Sequence, residues 1–450
     1  MGDPSLKDYD ASSVDSIVKH ARKLKGKSLS QVADLPSHVS DSKNKGKLGD
    51  LVEKYWFEIF PSNVNHLPDF ADAGVELKTT GVKQGKNGEY RAKERLVLTK
   101  INPVQIRDEH WGSSTFLKKC RLLLVLFYLY EKEKPEIERE FVLEPKLMDI
   151  LKLEPQELTQ IIHDWTVIRD KCVAKLAHEL SEGDTTYLKA CRKGSGGDGE
   201  SQTVQGDESP LAKGRAFSFP ASFITRQLAN DSSEFTRLVE GDDQTVEESA
   251  RTKIEPYLGK PLSEIWNKID FKSTAKNKNS LLVKALLTGA TKDPLEFVNA
   301  GIVMRTITLS RRGVPTEDMP FSAFDPIELV QENWENSSLS DDLENRYWLV
   351  VFQQNQSGDD LILRSAGFWT MPYRDRLTAQ NVWAETIEKF KSGDYGSLPK
   401  LADSPIVFVR THGKNREDKV LTVRGDYTER RSFWIGKHYL ANVIESGLEW

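Results

Sequence analysis

Three residues, Asp69, Glu76 and Lys78, stand in the spacing D-x6-E-x-K. On a strand, side chains two apart point to the same face, so Glu76 and Lys78 face together, and Asp69 can arrive from the preceding turn. Two hard carboxylates, the carbonyl of Leu77 and water suit Mg2+, which prefers octahedral oxygen ligation and keeps several waters. Such an ion polarises a phosphate and acidifies an attacking water. A lysine beside that water orients it and offsets charge on the phosphorane. A bare E-x-K is common on solvated strand faces, so its weight depends on what surrounds it. Here the strand is short and apolar at Val75 and Leu77, and the upstream segment KGKLGDLVE carries Glu53. Glycines at 46 and 49 would let the backbone approach a strand or a phosphate closely.

Other arrangements offer less. His163, His178 and His412 are scattered, without H-x-x-H or H-N-H spacing. GSGGDG (194–199) lacks the GK[ST] and helix of a phosphate loop and reads as linker. Trp165, Trp348 and Trp383 sit in apolar patterns and read as core. Three cysteines, Cys120, Cys172 and Cys191, show no C-x-x-C spacing, which argues against a disulfide framework and a structural zinc. A reducing cytoplasm fits. Neither a secretory leader nor a membrane-spanning run is expected. The formal net charge of −5 is neutral on nucleic-acid binding, which needs local basic patches and not a basic total.

The elements that position these residues follow from periodicity. Helical spacing predicts helices over 12–35, 46–60 and 155–180. Strands are expected at 73–80, 94–101, 141–144, 185–191 and 215–220. The unbroken apolar run 121–130 suits a strand buried on both faces. The Gly/Ser/acid-rich segment 194–210 reads as a flexible loop. The second half repeats the first: PDFADAGVELKTT (68–80) aligns with LEFVNAGIVMRTI (295–307), and RLLLVLFY (121–128) with WLVVFQQN (348–355), both at an offset of 227. RAFSFPASFIT (215–225) matches RSFWIGKHYLA (431–441). Three matches in one order indicate a domain duplication.

Lys45, Gly46, Gly49 and Glu53 in K-G-x-x-G-x-x-x-E, followed by D-F-x-x-x-G-V-E-L-K-T from Asp69 to Thr79, resemble the MutH family of the PD-(D/E)xK nucleases. The resemblance continues through KERLVLTKI (93–101), KKCRLLLV (118–125), HELSEGDTTYLKACRKG (178–194) and RAFSFP. It covers most of residues 10–230. The duplication is similar to that of the staphylococcal-type GATC-cutting restriction endonucleases. The resemblance implies two tandem restriction-endonuclease-like α/β domains, each a mixed sheet flanked by helices. They would be a catalytic domain at 1–230, an acidic linker at 231–258 and a catalytically silent DNA-binding domain at 259–450.

The same resemblance implies that Asp69 and Glu76, with the Leu77 carbonyl, are ligands of Mg2+ and that Lys78 orients the water. Glu53 becomes an accessory carboxylate. Lys118, or Lys119 if the alignment slips by one, becomes a second catalytic lysine. Lys45, Arg192 and Lys193 become DNA contacts, the last two in a base-reading loop. In the second copy, Glu296, Val303 and Arg305 stand opposite Asp69, Glu76 and Lys78, and Asn345 stands opposite Lys118. Valine binds no metal, so that copy is expected to be inert, while Arg410, His412 and Lys414 retain a reading loop. The expected partner is double-stranded DNA, with dimerisation on it conceivable. The expected activity is Mg2+-dependent cleavage at a short palindrome, GATC, leaving 5′-phosphate ends. A mismatch-repair nickase and a non-cleaving DNA-binding relic are the rival readings.

Overall fold

The computed structural model describes residues 8–36, 47–59, 66–193, 202–206, 208–228, 236–238, 243–415 and 417–449. Its first half contains helices α1 (Val14–Arg22) and α2 (Lys47–Tyr55), then strands β1 (Val75–Gln84), β2 (Tyr90–Ala92) and β3 (Leu96–Ile101). Helix α3 (Thr115–Cys120), strands β4 (Leu122–Leu129) and β5 (Lys146–Asp149), helix α4 (Pro155–Val173), and strands β6 (Lys189–Arg192) and β7 (Arg215–Phe219) follow. These strands form two sheets. The first has the order β2-β1-β4-β5, and β1 runs parallel to β4 and antiparallel to β2. The second, β3-β7-β6, is antiparallel throughout.

Strand β4 explains why the apolar run has no polar alternation. Leu123, Val125 and Phe127 enter one core cluster, while Leu124, Leu126 and Tyr128 enter another. A strand covered on both faces reads as continuous hydrophobicity. Its parallel neighbour β1 pairs Glu76 with Leu123 and Lys78 with Val125, and Val75 and Leu77 pack on the opposite side. The catalytic candidates are therefore mounted on a strand that is fixed in register along its length.

The second half begins with α5 (Val246–Ile254), whose Thr245 and Glu248 form a reciprocal capping box. It continues with β8 (Val303–Leu309), β9 (Met319–Ala323), α6 (Ser338–Leu343), β10 (Tyr347–Gln354), β11 (Leu361–Trp369), α7 (Tyr373–Ser392), β12 (Val407–Thr411) and β13 (Arg431–Ile435). Here β8 pairs parallel with β10, and β10 pairs antiparallel with β11. The other sheet is β9-β13-β12, antiparallel, with its last strand in the centre as in β3-β7-β6. Both halves are thus mixed α/β units with one connectivity. They are joined by a shared core in which Val82, Phe223, Leu282, Phe297, Trp348 and Phe368 belong to one cluster. Within the acidic segment, Val246, Ala250 and Ile254 are also buried in that cluster.

Several elements differ from expectation. The helix expected over 12–35 is two helices, Val14–Arg22 and Leu29–Val32, and in the turn between them Gly26 adopts φ +74° and its N–H donates to the Phe141 carbonyl at 2.8 Å. Segment 141–144 contributes isolated bridges at Phe141, and the outer strand is Lys146–Asp149 instead. Helix α4 ends at Val173, before Lys175 turns into the left-handed region at φ +58°. Much of the segment 194–210 lies outside the described residues. Cys120, Cys172 and Cys191 are free and buried. Among the described residues, no helix is long and apolar enough to cross a membrane.

Candidate active site

The spacing of Asp69 and Glu76 is set by a tight turn. Phe70 and Val75 exchange backbone hydrogen bonds at 2.9 and 3.2 Å, and Gly74 closes the turn at φ +68°. A side chain is strained there, whereas glycine is not. The turn folds Asp69 back onto the start of β1. The Leu77 N–H donates to Asp69 Oδ2 at 2.8 Å, and the Asp69 N–H donates to Glu76 Oε2 at 3.2 Å. Lys78 Nζ donates to Glu76 Oε1 at 2.5 Å. The three residues read from the sequence therefore form one interlocked cluster.

Glu76 is 1% exposed. Burial, opposed by Lys78 and reinforced by Asp69, holds its carboxyl above the usual carboxylate range. Glu53, on α2, is pushed up to about 7, chiefly by burial and then by Asp69, with Lys78 opposing. Burial acts against the Lys78 ammonium, but Glu76 and Asp69 outweigh it and hold its pKa above the ordinary value. Glu76 and Glu53, whose carboxyls burial holds back from ionising, stand beside Asp69 as oxygen donors whose charge a hard cation would offset. Among the described residues, no group of three His, Cys, Asp or Glu side chains is disposed to hold a metal ion. Two carboxylates and a carbonyl, with water completing the shell, match what Mg2+ accepts.

Of the two lysines expected as alternatives, Lys119 is the one that the fold brings to Glu76, and Lys118, the first choice, stays outside the cluster. Ser114 caps α3 by accepting the Leu117 N–H, which fixes the helix phase. In that phase Lys119 Nζ lies 3.6 Å from Glu76 Oε1, and Lys118 is exposed to solvent. Successive helical residues are about 100° apart, so both cannot reach the site. At Gly49 an added Cβ would stand 3.9 Å from the Thr79 Cβ, an ordinary contact, so no close approach demands glycine there. Lys45 and Gly46 lie outside the described residues.

In the second copy the site is dismantled. Glu296, opposite Asp69, accepts the Leu238 N–H at 2.8 Å; Val303 replaces Glu76; Arg305 is exposed. The expectation that Asn345 stands opposite Lys118 is also corrected. Trp111 and Ser114 recur as Trp334 and Ser337, with the serine hydroxyls donating to the tryptophan carbonyls at 2.8 and 3.0 Å and capping α3 and α6. That motif sets Asp341 and Asp342 opposite Lys118 and Lys119, so the basic pair has become an acidic one. Burial and then Asp341 push the Asp342 carboxyl up to about 6, with Arg305 opposing. The W-x-x-S recurrence was visible in the sequence and would have given this pairing.

The expected reading residues divide. Arg192 is turned toward the second copy, where its guanidinium meets Ser340 Oγ at 2.5 Å and Asp341 Oδ1 at 2.6 Å, and its side chain is 9% exposed. Lys193, the next residue, points the other way and is exposed. Partial desolvation, then the charges of Lys100, Lys78 and Lys119, hold its amine below the usual lysine value. The Lys193 and His412 N–H groups make matching bonds to the carbonyls of Gly214 and Arg430. That register puts Arg410 opposite Cys191. The Arg410 side chain is 57% exposed, lies 3.3 Å from Asp318 and packs over Trp434. The His412 ring also contacts Trp434, and Lys414 is exposed.

Comparison with known proteins agrees with this geometry. Residues 59–164 match the family model described as DNA mismatch repair enzyme MutH. The chain is 28% identical to the type II restriction enzyme Sau3AI of Staphylococcus aureus, over 96% of this chain and 98% of that one. It is 23% identical to the DNA mismatch repair protein MutH of Shewanella woodyi, over 44% of this chain and 82% of that one. A hairpin-mounted Asp69, Glu76 and Lys78 within the matched segment, and a relative that aligns from end to end, show this chain to be similar to MutH in its first half and to a type II restriction enzyme along its length.

Proposed function

We propose that the chain is a Mg2+-dependent restriction endonuclease that hydrolyses duplex DNA at a short palindrome, GATC, leaving 5′-phosphate and 3′-hydroxyl ends. The observation that carries this reading is the Asp69, Glu76 and Lys78 cluster, whole in the first copy and lost in the second. Asp69, Glu76 and the Leu77 carbonyl would hold the cation, which when bound polarises the phosphate and acidifies a water. Lys78, kept protonated by its carboxylate neighbours, orients that water and offsets charge as the phosphorane forms. Lys119 adds a second ammonium on the same side. Residues up to about 230 carry this chemistry. The second copy, with Val303 in place of a ligand, binds DNA through Arg410, His412 and Lys414 and does not cut.

Incubating a GATC-containing plasmid with Mg2+, Mn2+ or Ca2+ and sequencing the ends tests this directly. Linear fragments cut at GATC are expected in the first two ions and none in calcium, whose looser shell positions water poorly. Nicked circles that persist without linear product would point to a mismatch-repair type of nickase, and no cleavage in any ion would leave a binding protein.

A further inference from the structure

A lysine outside the cluster shares its surface. Strands β3 and β6 flank β7, and the register sets both Lys100 and Cys191 opposite Ala216. Residues paired across a sheet point to one face, as do residues two apart on a strand, so Lys100, Cys191 and Lys193 share a face. Ala216 and Cys191 are fully buried between them, whereas Lys100 and Lys193 are exposed. The two flanking strands stand about 10 Å apart, two strand spacings. Strand β3 also packs against α3 and β1, which carry Lys119 and Lys78. Among the described residues, neither Lys100 nor Lys193 is ion-paired to a carboxylate. Lys100 and Lys193 thus add two ammonium groups on strands of the sheet that packs against the elements carrying Lys78 and Lys119, whose own ammonium groups are paired with Glu76. The charges of Lys100, Lys78 and Lys119 all act on Lys193, that of Lys100 most strongly. Lys100 and Lys193, the two without a carboxylate partner among the described residues, repel one another, and a polyanion relieves the repulsion.

We propose that Lys100 is a phosphate-binding residue of the cleavage site, gripping the backbone of the bound strand beside the segment that Lys193 reads. The proposal rests on the DNA-cleaving reading above. A contact to phosphate carries no base information, so its loss weakens specific and scrambled duplexes alike. Each neutralised phosphate contributes about 0.9 to the slope of log affinity against log salt on duplex DNA.

The test uses the full chain, with Ca2+ in place of Mg2+ and a labelled 20-base-pair duplex carrying GATC or a scrambled site, titrated between 50 and 200 mM salt. Lys100→Gln is expected to weaken binding to both duplexes about fivefold and to flatten the slope by about 0.9. In Mg2+ it should raise KM more than it lowers kcat, and Lys100→Arg should restore both affinity and slope. A Lys100→Gln slope and affinity equal to wild type, in a wild type that binds and cuts, would overturn this inference alone. A wild-type chain that neither binds nor cuts the GATC duplex would overturn the nuclease reading and this inference with it. Loss of discrimination, with the scrambled duplex unaffected, would make Lys100 a base reader and also overturn the phosphate assignment.

Discussion

Lys118 and Lys119 are adjacent in sequence and chemically identical, yet only one reaches Glu76. Replacing Lys119 with alanine is expected to slow cleavage about a hundredfold, the usual loss when one preorganised cation or donor leaves a developing charge. Lys118→Ala should change it less than about threefold. Single-turnover cleavage of a GATC duplex by the two variants decides the matter, and equal losses would show that the helix phase is not what selects the lysine. The sequence could not separate the two, because the choice depends on where α3 begins, and that is set by the Ser114 cap. Asp69, Glu76 and Lys78 were legible for the opposite reason. Their spacing is written into a single turn and strand, with Gly74 marking the turn and the i, i+2 rule aligning the side chains. Arg192 was legible as a cation and illegible as a partner. Its neighbours Ser340 and Asp341 lie about 150 residues away, and no local pattern announces them.

At the scale of strands, register decides which side chain each copy presents at the same place in the sheet. The central strands β7 and β13 begin with Arg215 and Arg431, and pairing against them puts Arg410 in the second copy where Cys191 stands in the first. One copy therefore offers a lysine at the sheet edge, and the other an exposed arginine propped on Trp434. An arginine can make two hydrogen bonds to guanine O6 and N7, worth about 1–3 kcal/mol of discrimination. Arg410→Ala, made in a Glu76→Gln background so that the DNA stays whole, is expected to weaken binding to a GATC duplex about tenfold and to a scrambled duplex far less. A gel shift of the full chain on both duplexes at one salt concentration measures this. Equal affinity for the two sequences, unchanged by the substitution, would leave the second copy as scaffold. The strand pairs themselves were partly visible in advance. β4 and β10 stand out as apolar runs, but KLMD (146–149) has neither alternation nor β-branched residues and becomes β5 only by pairing with β4.

Across the whole molecule, the two copies are pinned together by charges that neither copy could bury alone. Glu344 of the second copy accepts hydrogen bonds from both terminal nitrogens of Arg215 at 3.0 and 3.1 Å, with Arg376 at 3.5 Å and Arg192 at 3.9 Å. Around it, Arg346 reaches Glu247 and the Asp184 carbonyl, and Arg95 pairs with Glu182 and approaches Asp341. Burial works against the Glu344 carboxylate, but Arg215, Arg192 and Arg376 outweigh it and bring its pKa down to about 2. A carboxylate whose folded pKa lies below its unfolded value contributes stability that is complete above the unfolded value, near 4.5. That contribution is lost as pH falls toward the folded value. The difference corresponds to about 3 kcal/mol at pH 7 and about 2 kcal/mol at pH 3.5. Glu344→Gln removes the charge and leaves three buried arginines facing a neutral amide. It should therefore lower the unfolding free energy read from urea titration at pH 7 by at least that much, since breaking one side of a buried ion cluster costs about 3–5 kcal/mol. The deficit should narrow as pH falls to 3.5, where part of the wild-type contribution has already gone. Urea unfolding followed by tryptophan fluorescence at the two pH values reads both quantities. A deficit independent of pH would mean that Glu344 holds the copies together by packing, with its charge contributing nothing to their union.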